Sequence, residues 1–273
     1  MPLKIPFTKM EGTGNDFIVF DNRDRKFAGD EAGFFSRICQ RRFAVGADGV
    51  ILVEKGQSHP VRMRYYNRDG HEAEMCGNGA RCMAYYVKEK GIVRQDAFVL
   101  EASDGSHSVR IKNNIISLQM IEPKGYRSGV GILRESEYKE GGLINTGVPH
   151  YVIIVPDVDP VDVRIVGQYY CHHEAFPEGA NIDFIQFQGE NRIRFRIYER
   201  GVEDETCSSG TGSVASALIA SRQFGCPSPV QVETRGGNLS VQFDLEWKTV
   251  FLEGPVSIAY EGMLSTEITG ESS

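Results

Sequence analysis

The chain has 273 residues, enough for one large domain or two of ordinary size that each bury a core. Hydrophobic residues make up 41%, aromatics 10% and charged residues 25%, which excludes a disordered or fibrous chain. Thirty basic residues against 37 acidic ones leave a formal charge of −7, the wrong sign for a polyanion partner, because phosphate binding needs a basic surface that releases counterions. Nucleic acid is therefore not an expected partner. No stretch approaches the roughly 18 apolar residues of a membrane span. The first residues, MPLKIPFTKMEGTGNDF, lack a basic segment followed by an apolar one, so a cytoplasmic protein is expected. Six cysteines (Cys39, Cys76, Cys82, Cys171, Cys207, Cys226) are too few and too irregular for a disulfide framework, and reduced thiols are expected.

In chain order, GTGNDFIVFD (12–21) and FAVGADGVILV (43–53) are apolar runs, and VRMRYYNR (61–68) alternates charged and apolar residues as a half-buried strand does. A short acidic loop, DGHEAEM, then leads into a helix that opens CGNGARCMAYYV (76–87). Turn signals follow at Asp104-Gly105, and the segment 123–142, dense in glycine, charge and proline, reads as a connection. The second half repeats the first. GVPHYVIIVPD (147–157), FPEGANIDFIQ (176–186), IRFRIYER (193–200) and SGTGSVASALIA (209–220) match the four earlier segments in order, at offsets of 135, 133, 132 and 133. Two homologous lobes are predicted: residues 1–125, completed by a C-terminal strand at about 255–268, and residues 126–254. Each reads as an α+β unit with short strands around one strong helix. Close turns (67–70, 104–105, 236–238) favour antiparallel meanders over crossover units. The polar tail after Met263 is expected to fray.

Both helix starts carry chemistry. Each follows an acidic loop (DGHEAEM, GVEDETCS) and opens with a small nucleophilic residue and Gly-x-Gly: Cys76-Gly77-Asn78-Gly79 and Ser209-Gly210-Thr211-Gly212. The first N–H groups of a helix have no internal partner and carry the positive end of its dipole, so Gly77, Asn78, Gly210 and Thr211 can donate to a ligand carboxylate. A cysteine at such a start is driven toward the thiolate, which makes Cys76 a candidate base or nucleophile. Two such starts facing across a pseudo-twofold axis, with a ligand in the cleft between the lobes, would place one reactive side chain on each face of the carbon beside the carboxylate. That is the geometry of a racemase. Preorganised donors would stabilise the enolate-like charge without an imine-forming cofactor.

The segments GTGNDFIVFDNR, FAVGADGVILVE, YYNRDGHEAEMCGNGARC, TGVPHYV, GANIDFIQ and RIYERGVEDETCSSGTGS resemble, in order and over nearly the whole chain, the motifs of the diaminopimelate epimerases. The resemblance implies a two-lobed fold, each lobe a barrel-like sheet around a central helix. It also implies interconversion of LL- and meso-diaminopimelate, for lysine and cell wall, without pyridoxal phosphate, metal or nucleotide. It assigns Asn15, Asn67, Asn181, Glu199 and Arg200 to substrate contacts. Gly77, Asn78, Gly210 and Thr211 would hold the reacting carboxylate, Cys76 would be one catalytic base, and a homodimer is the assembly expected of it. One departure matters. The second motif of the family ends in cysteine-glycine-threonine-glycine, whereas this chain reads Ser208-Ser209-Gly210-Thr211-Gly212, so the second catalytic position is Ser209. The internal repeat agrees, pairing Cys76 with residue 209 and not with Cys207. A serine hydroxyl abstracts a proton only with help from a neighbouring base. A natural cysteine/serine pair, such as the related proline racemases also resemble in tolerating hydroxyl residues, an engineered serine and a paralogue of altered chemistry all stay open. Val148 in TGVPHYV replaces an asparagine that touches the distal end of the substrate in many members.

An isolated free cysteine is usually a buried hydrophobe, but the helix start and the repeat favour catalysis for Cys76, while Cys82, inside the helix, reads as packing. Cys171-His172-His173 is not expected to bind metal, since adjacent strand side chains face opposite ways and no second ligand group is suitably spaced. His150, after Pro149, fits a turn, and the resemblance implies a place near the site. Glu199 and Arg200 could be a solvated pair, yet their repeat partners are Asn67 and Arg68, which favours ligand contact. Neither Gly-x-Gly has the third glycine or distant acid of a dinucleotide fold. The rivals are a racemase for another amino acid such as histidine, a cysteine hydrolase built on Cys76 and His150, and a binding protein that has lost catalysis.

Overall fold

The protein is described from a computed structural model, over residues 4–28, 31–134 and 137–265. The chain forms two compact units: one runs to Leu118 and takes the chain back from Pro255, and the other covers Gln119–Gly254. Residues 266–268 of the expected closing strand, and all of the expected frayed tail beyond Ser265, lie outside the described residues.

In the first unit β1 (Lys4–Gly12) and β2 (Asn15–Asp21) are followed by α1 (Ala32–Cys39), β3 (Gly49–Lys55), β4 (Val61–Asn67) and the two-residue β5 (Glu72–Ala73). Then come α2 (Gly77–Glu89), β6 (Ala97–Ala102), β7 (Gly105–Lys112) and β8 (Ile115–Met120). The second unit opens with β9 (Lys124–Arg127), β10 (Lys139–Asn145), β11 (Pro149–Ile154) and α3 (Val163–Cys171). It continues as β12 (Asn181–Phe187), β13 (Arg192–Glu199), β14 (Asp204–Thr206), α4 (Gly210–Phe224), β15 (Val230–Thr234), β16 (Gly237–Phe243) and β17 (Val250–Pro255). Strand β18 (Ser257–Ser265) returns to the first unit and pairs antiparallel with β1.

The ladder of the first unit runs β18-β1-β2-β3-β4-β6-β7-β8, and that of the second β9-β10-β11-β12-β13-β15-β16-β17. The senses match step for step. Both are mixed sheets, mostly antiparallel, with parallel pairs at β2–β3 and β4–β6 in one and at β11–β12 and β13–β15 in the other. The expectation of meanders without crossovers is thus corrected, because a parallel pair needs a connection long enough to turn back. Helices α1 and α3, which the apolar pattern did not single out, make one crossover in each unit, and α2 and α4 make the other.

This topology explains the composition of the strands. Ile18, Phe20, Val50 and Leu52 pack with Phe35 and Ile38 of α1 on one face of the sheet, while Phe17 and Ile51 lie under α2 on the other. A strand covered on both faces needs a continuous apolar run and not an alternating one, and 17–20 and 50–53 are such runs. In the second unit α3 covers a core of Tyr151, Ile153, Phe184 and Tyr198 in the same way. Helix α2 contacts β1, β2, β3, β4 and β7, and α4 contacts β10, β11, β12, β13, β15 and β16, so each sheet curves around its helix. An enclosed helix buries all of its faces. Buried residues accordingly occupy nearly every position from Gly77 to Val87, and in α4 they are small: glycine, serine and alanine with few larger side chains.

A carboxylate braces the start of the second unit. Glu140 on β10 accepts from the N–H groups of Val130, Gly131, Ile132 and Leu133 and from the Tyr151 hydroxyl at 2.7 Å. Burial opposes its charge, yet these donors hold it down at about 2. The folded value lies below the ordinary 4.5, so this stabilisation is complete above that pH and is lost as pH falls toward about 2. Glu140→Gln is expected to cost about 1–3 kcal/mol at pH 7. Urea unfolding at pH 7 and pH 3 checks this, since the gap from the parent protein must narrow at pH 3; an equal gap at both would remove the charge from the explanation.

Candidate active site

The first helix start is built by the end of β5 and the opening of α2. Cys76 is the N-cap, with extended backbone (φ −103°, ψ 116°), and its Sγ accepts from Gly79 N at 3.5 Å. The thiol also donates to Asn15 Oδ1 at 3.6 Å, and Asn78 Nδ2 donates to the same oxygen at 3.4 Å. Asn15 is held in turn by Asp48, its Nδ2 lying 2.8 Å from Oδ2. Behind Asn78, Arg81 donates to Asn78 Oδ1 at 2.9 Å. The structure thus brings Asn15, Cys76 and Asn78 together in one hydrogen-bonded group, with Gly77 between the last two in the chain. Asp48 and Arg81 belong to it and were not predicted.

The second helix start reproduces the first. Ser209 is the N-cap of α4, again extended (φ −134°, ψ 129°), and its Oγ accepts from Gly212 N at 3.2 Å. Neither helix carries an acidic residue in its first turn, so the positive end of each dipole is left for a ligand anion. What lies beneath the two starts differs. Where Gly79 faces Phe17 and Ile51, Gly212 faces Phe195, Ile197 and the Asp183 carboxylate. Asp183 and His150 are fully buried and linked through Nδ1 at 3.0 Å. His150 Nε2 lies 3.0 Å from Thr211 Oγ1, and Thr211 Oγ1 lies 3.3 Å from Ser209 Oγ. Burial pushes the Asp183 carboxyl above its ordinary range, which makes it a stronger acceptor for the Nδ1 proton. An unbroken chain of proton-carrying groups therefore runs from Ser209 through Thr211 and His150 to Asp183. Its signal was present in the sequence, since NIDF sets an acid in an otherwise apolar strand, but only the fold brings it under the helix.

The remaining predicted residues divide. Asn181 is spent on the backbone: Nδ2 donates to Pro149 O at 3.2 Å and Oδ1 accepts from Arg200 N at 3.0 Å, which ties the ends of β11, β12 and β13 together. The Arg200 side chain folds over Gly179 and donates to the Glu178 carbonyl. Glu199 is half-buried at the end of β13, and Asn67 is exposed at the end of β4. Val148 is half-buried in the turn before His150. Cys207 is exposed and lies outside the helix, its carbonyl accepting from Gly236 N, while Cys82 is buried within α2. The segment 171–173, read as a strand, instead ends α3, and it brings Cys171 and His172 near Glu203, with ligand-type atoms within 4.8 Å of one another. Burial pushes the Cys171 thiol up to about 11, and Glu203 is bonded to His172 at 2.7 Å.

The family profile described as diaminopimelate epimerase matches residues 7–123 and 142–259. The chain is 38% identical to the diaminopimelate epimerase of Methanocella arvoryzae, with 97% of this chain and 99% of that protein aligned. Among solved structures, a phenazine biosynthesis protein of the PhzF family from Bacillus anthracis superposes with a TM-score of 0.75 at 15% identity, covering 96% of this chain and 99% of that one. A probable proline racemase from Agrobacterium radiobacter does so with 0.70 at 14% identity, covering 96% and 93%. At these identities the two structures speak to the fold alone.

The second glycine of each Gly-x-Gly is there for packing. A Cβ on Gly212 would come within 2.9 Å of Phe195 Cζ and 3.1 Å of Asp183 Oδ1. Gly212→Ala is expected to lose about 1–3 kcal/mol through overpacking, against a helix-propensity gain of about 1 kcal/mol. A urea melt that finds the variant as stable as the parent would show that α4 can shift away from the sheet.

Proposed function

The chain belongs to the diaminopimelate epimerase family, and we propose that it interconverts LL- and meso-2,6-diaminopimelate by removing the proton from one α-carbon and returning one from the opposite side. Two-base epimerisation needs an acid/base group on each face of that carbon, and the reading assigns Cys76 to one and Ser209 to the other. The observation that carries it is the shared N-cap role of these two side chains, each accepting from the N–H three residues on, in units of the same topology. The N–H groups of Gly77, Asn78, Gly210 and Thr211 bind the reacting carboxylate, and their hydrogen bonds strengthen as charge builds up on it in the transition state. Asn15, Asn67, Glu199 and Arg200 complete the substrate contacts in this proposal, with Asn181 positioning Arg200 and the strand ends.

The two faces use different proton chemistry. Cys76 carries a thiol, as a class a far stronger acid than a hydroxyl, whose conjugate base is a competent nucleophile and base by itself. Ser209 depends on the buried chain beneath it. When Ser209 gives its proton to the α-carbon, its oxygen takes the Thr211 hydroxyl proton, and Thr211 takes one from His150 Nε2. In abstraction the three transfers run backwards, and the imidazole, anchored by Asp183, holds the proton. The same proposal places the enzyme in the cytoplasm, supported by six free cysteines, and treats it as a homodimer, which the solution mass would check. Among the described residues no helix is long and apolar enough to cross a membrane.

NMR in D₂O with LL- and meso-diaminopimelate supplied separately tests the reading. Conversion with deuterium at the α-carbon is expected from the chain as it stands, and Ser209→Cys is expected to match or exceed it. Exchange confined to Ser209→Cys would mean that serine disables the second face; silence from both would exclude this substrate and turn the search to other amino acids. Thr211→Val keeps the backbone donor and cuts the chain to His150. It is expected to lower kcat about 10²-fold with KM little changed, and to matter far less in the Ser209→Cys background. Equal losses in both backgrounds would rule out the serine relay.

A further inference from the structure

Arg81 has a role that the proton transfers above leave undescribed. It stands one turn into α2, fully buried, and no carboxylate among the described residues pairs with it. One nitrogen does all its bonding: Nη2 donates to Asn78 Oδ1 at 2.9 Å and to Thr13 Oγ1 at 3.1 Å, while buried Nε and Nη1 meet no acceptor among the described residues. A buried guanidinium with unsatisfied donors opposes folding unless an anion offsets it, so a fold that keeps one has a use for the charge. Burial lowers its proton affinity only to about 10, which leaves it charged at neutral pH.

The ionisable groups that feel this charge are Cys82, Cys76 and Glu11. Burial pushes the Cys82 thiol up so strongly that it stays neutral. Glu11 is occupied, accepting from Gly14 N at 3.1 Å and from Ser257 Oγ at 2.7 Å. Cys76, the N-cap of the same helix, is the third group within reach of the charge. A second path leads to the same thiol. Because Arg81 takes Asn78 Oδ1, Asn78 must turn its Nδ2 toward Asn15 Oδ1, the oxygen to which the Cys76 thiol also donates. The second unit lacks this device: the residue 133 positions on is Val214, buried and apolar. The cation therefore accompanies the thiol and not the hydroxyl.

We propose that Arg81 is a positioning residue of the reaction, whose buried charge stabilises the thiolate of Cys76 and whose hydrogen bond fixes the Asn78 amide beside it. This rests on the reading of Cys76 as an acid/base group, but it is tested on the thiol alone. The whole protein, without substrate, is treated with iodoacetamide across a pH series, and modification of the Cys76 peptide is followed by mass spectrometry, for the parent chain, Arg81→Met, Arg81→Gln and Arg81→Lys, each with a thermal melt. Arg81→Met and Arg81→Gln are expected to move the midpoint of Cys76 alkylation up by about one pH unit or more, roughly a tenfold loss of rate near neutrality, with no loss of melting temperature. Arg81→Gln retains donors for Asn78 and Thr13, so its shift isolates the charge. Arg81→Lys keeps the charge and is expected to hold the midpoint near that of the parent, which also serves if neither neutral variant folds. An unmoved midpoint in a folded neutral variant, or a Lys variant displaced as far as the neutral ones, would overturn the proposal. A chain inactive on diaminopimelate would still give one of these results, so the two failures can be told apart.

Discussion

The first N–H groups of an enclosed helix have to be satisfied without bulk water, and that need organises both units. A helix wrapped by its own sheet has no solvent along its sides, and its opening turn has donors but no acceptors within the helix. In α2 and α4 a single side-chain atom meets part of the need, Cys76 Sγ for Gly79 N and Ser209 Oγ for Gly212 N. The same atom is thereby fixed beside the remaining donors. In the proposed reaction capping and reactivity are one feature, because a group held against the positive end of a helix is also stabilised as an anion or as a hydrogen-bond acceptor for one.

The enclosure also dictates residue size. A sheet can close around a helix only if the helix is thin where they touch, which explains Gly79 and Gly212 and the run of alanine and serine through α4. The outer face of each sheet is then free for a second helix, α1 or α3, with its own aromatic and aliphatic core. Stability comes from these packed layers, and it lets each helix start hold polar groups that oppose folding by themselves.

Those polar groups are where the two units part company. The unit with the thiol holds a buried cation, Arg81, and an apolar floor of Phe17 and Ile51. The unit with the hydroxyl holds an apolar Val214 in the equivalent helix position and a buried His150–Asp183 pair in the floor. The asymmetry fits the chemistry that the proposed reaction asks of the capping atoms. Sulfur holds a negative charge readily and is helped by a nearby positive one, whereas a hydroxyl handles protons only through a partner that can take or supply them.

Much of this was legible in the sequence because it is local or periodic. The repeat offsets pointed to two units, the capping residue followed by Gly-x-Gly marked both helix starts, and the alignment of the halves put Ser209, not Cys207, in register with Cys76. What the sequence could not decide is what touches what across strands. Parallel pairing in place of meanders, the turning of Asn181 onto backbone partners, and the placement of Asp183 and Arg81 beneath the helix starts all depend on register and enclosure. A carboxylate in NIDF or an arginine in GNGARC has the same local signal whether it faces solvent or a buried imidazole or amide. Only the folding of the sheet around the helix removes the water and makes the charge consequential.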